Sequence, residues 1–483
     1  MDEPNRSGMP HSLRLFVPTH AGLRMQSLID RYCNFYRVDA QGREYRTVTQ
    51  RIVVEVDAHV RTAEHLRPFL GSGPVAVVMD LNTARVAGDA VVHSLVEAGI
   101  AVERHLLVAD PDDGVVPCDD ATIAHVQSLL AAHRYTHAVA VGAGTINDLV
   151  KMAAHRLGLG YSCVATAPSM NGYTSAIAAI LAAGVKTTQP CTPAMAVLAC
   201  PKVMAEAPYR MIASGIGDLY SKPVSNADWR LSHRLLGTMH SEIVMEIVDA
   251  GSTLLEGVAP HLPERDLNAV AQLTGALMLS GLAMQAAGSS QTASGGEHLV
   301  SHYIDMTSVS ESLPHDFHGV QVACGTIATS ALYEYVRALD PNTLDPAALA
   351  AAFPTWAVWE EVLRDRFGTL ADSVIPHARQ GYPTRDALQA RLQKLVSQWD
   401  DIFADAGATL RPTAELKAEL ESAHCPTEFP GMPVERERAY AAFAWSKDIR
   451  ARYTILHLAA ELGVLESFAR RFVDEQYDRA GQP

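Results

Sequence analysis

Two imidazoles, His298 and His302, stand four residues apart in Gly295-Gly296-Glu297-His298-Leu299-Val300-Ser301-His302. On a helix that spacing brings both rings to one face. Pro314-His315-Asp316-Phe317-His318-Gly319 adds His315 and His318 at a loop-to-helix junction. Upstream, Gly215-Ile216-Gly217-Asp218-Leu219 places a carboxylate just after a glycine pair, where by itself it reads as a helix N-cap. One Asp and two His from separate segments make the N/O donor set of a catalytic divalent metal that keeps a position open for substrate or water. With 20 histidines in the chain, the His298/His302 pair by itself also fits a solvated helix face. Its place beside Gly-Gly-Glu and upstream of His-Gly, in a chain that also carries a nucleotide-type loop, favours ligation.

That loop is Val141-Gly142-Ala143-Gly144-Thr145-Ile146-Asn147-Asp148. Gly142 and Gly144 permit close backbone approach, and a helix opening there offers unpaired N–H groups to a pyrophosphate. The full GxGxxG is absent, since Asn147 stands at the third glycine, so a tight structural turn is the competing reading. Asp80, at the end of Val-Val-Met-Asp, is placed to accept ribose hydroxyls or to start a helix together with Asn82 or Thr83. Thr166-Ala-Pro-Ser-Met-Asn-Gly-Tyr-Thr-Ser175 is small and polar, as a segment lying flat against a cofactor would be, although Pro168 and Gly172 also suit an ordinary turn.

The elements that must position these residues fall into two kinds. Apolar β-branched runs at 51–56, 75–80, 101–108, 137–142 and 161–166 alternate with amphipathic helical patterns, the mark of a wound α/β domain. Ile146, Leu149, Val150, Ala153, Ala154 and Leu157 recur at helical spacing, so a helix begins within the glycine loop. After about residue 205 the β-runs stop, and Ala/Leu-rich segments at 262–290, 320–340, 385–405 and 438–473 carry helical periodicity, broken by Pro/Gly-rich stretches at 286–297, 307–319 and 424–434. The expected organisation is an N-terminal extension (1–45), an α/β domain (46–205) and an all-α domain (206–483).

A chain of 483 residues with 48% hydrophobic and 19% charged residues has enough apolar content to fold over most of its length. Its formal charge of −15 has the wrong sign for a nucleic-acid binder. Seven cysteines form no CxxC pair and suit a reducing cytoplasm; no secretory leader or uncharged apolar run of membrane-spanning length is apparent.

Taken together, Gly142–Lys151, Ala165–Ser175, Ser214–Lys222 with Ala227-Asp228-Trp229, Ser294–Met306 and Phe317-His318-Gly319 resemble the sn-glycerol-1-phosphate dehydrogenase family. That family is a branch of the metal-dependent alcohol dehydrogenase and dehydroquinate synthase-like superfamily. The resemblance covers about residues 50–330, and 452–463 resembles the family's C-terminal helix. It implies a Rossmann-like domain, a helical domain and an active site in the cleft between them. It further implies metal ligands Asp218, His298 and His318 (His318 rather than His315, because Gly319 follows), with Asp218 also touching substrate and His302 facing substrate as a proton-handling residue. The nicotinamide-cofactor positions implied are Asp80, Gly142, Ala143, Gly144, Thr145, Ile146, Thr166, Ala167, Pro168, Ser169 and Ser175. The cofactor expected is NAD or NADP, with one divalent metal (Zn²⁺, Ni²⁺ or Fe²⁺) and a homo-oligomeric assembly.

At Asn171 the chain departs from the family, which usually has an Asp that contacts the polyol. An amide orients a hydroxyl but takes up no proton. The expected reaction interconverts a polyol phosphate and its ketone, glycerol 1-phosphate and dihydroxyacetone phosphate or a diverged sugar phosphate, and Asn171 tips the expectation slightly towards the diverged substrate. Lys222, Lys186 and Arg230 are the nearest cations in sequence for a phosphate, though each also reads as a solvated surface charge. The competing readings are a synthase-type cyclisation of a sugar phosphate, and a catalytically lapsed binding protein.

Overall fold

The computed structural model describes residues 20–110, 114–182 and 185–481. A short antiparallel hairpin, β1 (Tyr36–Val38) and β2 (Glu44–Arg46), comes first. Next in the chain are β3 (Arg51–Val54), β4 (Val75–Asp80), β5 (Val102–Leu107), β6 (His137–Gly142) and β7 (Tyr161–Ala165). A second antiparallel hairpin, β8 (Ile177–Ala182) and β9 (Val185–Pro190), precedes β10 (Ala196–Ala199). Six of these strands form one parallel sheet in the order β3-β10-β7-β6-β4-β5. Strands covered on both faces read as continuous apolar runs, which is why Val-Ala-Val-Val-Met and His-Ala-Val-Ala-Val-Gly are visible in the sequence.

The strand order reverses beside β4. From β4 the chain goes out to the edge strand β5 and returns to β6 on the other flank. In an open wound sheet the crevice at the carboxyl ends of the strands flanking such a reversal is where ligands bind. Asp80 ends β4 and Gly142 ends β6, so both stand at that reversal.

The hairpins and β10 carry no signal among the runs read above. β10 is four residues long, and the β8–β9 pair is alanine-rich on one strand, so neither shows a period of two long enough to separate it from loop.

Among the described residues no strand follows Ala199. The helix Leu267–Ala287 is apolar all round and long enough to cross a membrane by composition, but 83% of its apolar window is buried inside the protein. It packs on the helices Glu242–Leu254 and His20–Tyr32. Met25, Ile29 and Tyr32 of the latter join the core that covers one face of the sheet, whereas residues 1–19 lie outside the described residues. A separate core gathers the C-terminal helices from Trp356 to Ala480 around the buried faces of the two helices that carry the histidines.

Two local expectations are corrected. Asp218 is no N-cap: it lies near the end of the helix Tyr209–Tyr220, whose N-cap is Pro208. The break read at 307–319 begins only at Ser312, because the helix Gly296–Glu311 carries on through Met306-Thr307-Ser308.

Candidate metal and cofactor site

Three helices bring the donor set together. Asp218 comes from Tyr209–Tyr220, His298 from the first turn of Gly296–Glu311, and His318 opens His318–Arg337. Their approach depends on glycine. A Cβ at Gly319 would overlap the carbonyl of Ser214, and one at Gly217 would overlap the carbonyl of Gly319, so the Asp218 and His318 helices touch backbone to backbone. One ligand atom from each of Asp218, His298 and His318 lies within 4.8 Å of the others. His315 is exposed in the loop before this helix, outside the cluster. His302, half-buried one turn beyond His298, has its ring centre 6.3 Å from that of His298 and 5.7 Å from that of His318.

His298 is not on a solvated face; it is 4% exposed, and Asp218 is 1% exposed. Its Nδ1 lies 2.8 Å from Glu297 Oε1 and donates to that carboxylate, which leaves Nε2 as the nitrogen turned towards Asp218. That nitrogen faces Asp218 Oδ1 at 3.5 Å. That separation is near the roughly 3.4 Å between adjacent ligands in a tetrahedral site with bonds of about 2.1 Å, so the pair has room to share a divalent ion in place of a bridging proton. The residues therefore fit a divalent metal.

Burial by itself would raise the Asp218 carboxyl, but Lys222 and the imidazoles of His298 and His318 overcome this and hold it far below the usual carboxylate range. Burial pulls the His298 imidazole down, and the carboxylates of Asp218 and Glu297 on its two sides more than offset that and raise it.

Lys222 is no surface charge. It is buried with Nζ 3.6 Å from Asp218 Oδ1 and donates to the Asp218 and Ala293 carbonyls. Arg230 pairs with Asp405 and Glu242, and the side chain of Lys186 lies outside the described residues. Neither Lys222 nor Arg230 is thus left as an uncompensated cation for a phosphate.

Asn171 connects the two halves of the site. Its backbone N–H donates to Asp218 Oδ2 (2.9 Å) and its side-chain amide to Asp218 Oδ1 (3.2 Å) and Ser280 Oγ (3.3 Å). Five residues earlier, Thr166 to Ser169 leave the carboxyl end of β7, and the Ser169 carbonyl accepts from Ser214 on the Asp218 helix. The next strand in the sheet, β6, ends at Gly142; Ala143 caps the helix Gly144–Leu157, and Ala143, Gly144 and Thr145 are partly exposed while Ile146 is buried. Asp80 ends the strand beyond, and its Oδ1 accepts the Thr83 N–H at 2.7 Å, the N-cap role that its type also allows. The carboxyl ends of β4, β6 and β7 thus bring the expected cofactor residues side by side, with Ser175 as the exception. It is fully buried, its hydroxyl facing the carbonyls of Gly172 (3.0 Å) and Ile177 (2.9 Å) within the turn.

Several contributors were not visible as such. Lys151, fully buried beside Asp148, donates to the Gly172 and Ile177 carbonyls and holds the segment after Asn171 to the glycine-loop helix. Asp228 accepts from Gly296 N–H, Ile455 N–H and the Tyr333 hydroxyl, tying the His298 helix to three others. Both stand inside segments that carry the family resemblance; side-chain type could not tell them from surface charges.

The iron-containing alcohol dehydrogenase family profile matches residues 53–208. Of solved structures, glycerol dehydrogenase from Schizosaccharomyces pombe superposes with a TM-score of 0.58 at 16% identity, covering 89% of this chain and 92% of that one. Glycerol-1-phosphate dehydrogenase [NAD(P)+] of Bacillus velezensis is 34% identical over 284 residues, 59% of this chain and 71% of the relative. The enzyme of the same name from Bacillus subtilis is 32% identical over 328 residues, 65% and 82% of the two chains. The family profile and these relatives define an NAD(P)-dependent metal alcohol dehydrogenase of the iron-containing class. Within that class, the chain belongs to the glycerol-1-phosphate dehydrogenase [NAD(P)+] family.

Proposed function

We propose that the chain interconverts glycerol 1-phosphate and dihydroxyacetone phosphate with NAD(P)(H), using one divalent metal held by Asp218, His298 and His318. The observation that carries this reading is the convergence of one ligand atom each from Asp218, His298 and His318 within 4.8 Å, at the point where segment 166–171 arrives from the carboxyl edge of the sheet. A bound ion there supplies Lewis acidity towards a substrate oxygen. The chain's own residues do the rest. The Gly142–Ile146 turn and Thr166–Ser169 bind and orient the dinucleotide, burial of Asp218 and His298 excludes water, and His302 holds or passes the proton of the substrate hydroxyl. Family membership favours glycerol 1-phosphate over a diverged sugar phosphate, and the Asn171 amide, which donates to Asp218, does not by itself call for another substrate. All seven cysteines are free thiols, which suits a reducing cytoplasm.

The test is an absorbance assay of NADH and NADPH oxidation by the metal-reconstituted protein with dihydroxyacetone phosphate, run beside elemental analysis. Asp218→Ala, His298→Ala and His318→Ala should each lose the metal and at least about 100-fold in turnover, since an incomplete ligand shell holds no ion in place. A fully loaded wild type that oxidises neither nucleotide with this ketone would sink the substrate assignment. Normal metal content and activity in any one variant would remove that residue from the shell.

A further inference from the structure

We propose that Glu297 and the Ser301–Gln321 pair are positioning residues that lock His298 and His318 in the same tautomer, with the proton on Nδ1 and the lone pair on Nε2. The inference rests on the metal-site reading above and adds to it the parts of the chain that prepare the two nitrogens.

For His298 the lock is a carboxylate. Glu297 Oε1 accepts from His298 Nδ1 and from the Gly295 N–H, both at 2.8 Å. An acid in the first turn of a helix is ordinary, and the Gly295 bond by itself would be a simple cap. A cap stays solvated, however, and Glu297 is 0% exposed. Its Oε2 is buried without a hydrogen-bond partner, and a Cβ built on Gly295 would lie 2.6 Å from Asp228 Oδ2 and 2.8 Å from Glu297 Oε2, so two carboxylates converge on one glycine. Burying a carboxylate beside another is costly, and capping does not require it. The bond to His298 Nδ1 gives the buried carboxylate a second role beyond the cap.

For His318 the lock is a relay of neutral groups. Gln321 Nε2 donates to Asp305 Oδ1 (2.9 Å) and to the Asp316 carbonyl (2.8 Å), which consumes both amide hydrogens and sets the amide's orientation. Its Oε1 then faces Ser301 Oγ at 2.8 Å and must accept the single hydroxyl proton. Having given that proton away, Ser301 Oγ can only accept from His318 Nδ1, 3.0 Å distant. Ser301 and Gln321 are fully buried, so water does not substitute for either. Two unrelated devices on two helices thus impose one tautomer, the outcome expected where both rings ligate a common ion.

The experiment is competition for Co²⁺ against a chromophoric chelator, with the visible spectrum of the bound Co²⁺ as second readout, on wild type, Glu297→Ala, Glu297→Gln and Ser301→Ala. Removing the orienting group should weaken Co²⁺ binding about 10–100-fold in Glu297→Ala and Ser301→Ala and shift the Co²⁺ bands. Glu297→Gln, whose amide oxygen still accepts from Nδ1, should keep near-wild-type affinity and spectrum. Unchanged affinity and spectrum in both alanine variants would overturn the lock, as would a Glu297→Gln protein as weak as Glu297→Ala, because charge rather than the hydrogen bond would then be responsible. If Glu297→Ala fails to fold, Ser301→Ala and Glu297→Gln decide the matter by the same criteria. A folded wild type that binds no Co²⁺ would refute the metal site itself, a result distinguishable from failure of the lock.

Discussion

Asn171 places a neutral donor 3.2 Å from the buried Asp218 carboxylate. Its amide gives Asp218 a hydrogen bond without adding charge, whereas an aspartate would set two carboxylates against each other in a buried site. Asn171→Asp should therefore lower the melting temperature of the metal-free protein by a few degrees, about 1–2 kcal/mol of stability, and the gap should narrow once a divalent ion is added. Thermal melts of both proteins with a chelator and with Zn²⁺ check this; equal melting temperatures without metal would show that the amide does not balance Asp218.

Helices that meet backbone to backbone have no room for a methyl group. Gly319, on the His318 helix, sits against Ser214 on the Asp218 helix, and its N–H donates to Ser214 Oγ at 3.0 Å. Gly319→Ala should wedge the two ligand-bearing helices apart, costing roughly 3 kcal/mol and weakening metal binding together with stability, as read by urea titration and chelator competition. Gly144 differs, because a Cβ there would meet a flexible side chain rather than backbone, Met170 with Cε at 3.1 Å and Cγ at 3.3 Å. Gly144→Val should fold, yet lose about tenfold or more in NAD(P)H affinity by placing a branched side chain where a pyrophosphate would approach the backbone. Calorimetry on the folded variant decides it, and unchanged affinity would remove this turn from the cofactor site.

Across the whole molecule, burial of histidines couples folding to pH. His137 opens β6 fully buried, donates or accepts with Ser162 at 2.8 Å, and is pushed down to about 4 by desolvation. Its folded value is depressed, so its contribution to stability is present above the ordinary histidine value of 6.5 and is lost as pH falls from there towards 4. Between pH 7 and pH 5 this one side chain should cost about 2 kcal/mol. His137→Gln, which has nothing to protonate, should show a correspondingly smaller loss in urea denaturation over that interval; an identical loss would assign the acid sensitivity to other groups.

By itself the sequence determined the class of fold and the residue types at the site. β4 and β6 were legible end to end because buried parallel strands are uninterrupted apolar runs, and the ligand candidates because few residue types bind a divalent ion. The trio Asp218, His298 and His318, with His318 preferred to His315, was expected only through the family resemblance, and the tertiary structure brings the three together. Tertiary structure alone decided that Asp218 lies within a helix rather than capping one, and that Lys222 and Lys151 are buried braces rather than solvated charges. The roles of Glu297, Ser301 and Gln321 were equally hidden, since a hydrogen-bonded tautomer depends on contacts between helices, and a helical period records only which face of each one is apolar.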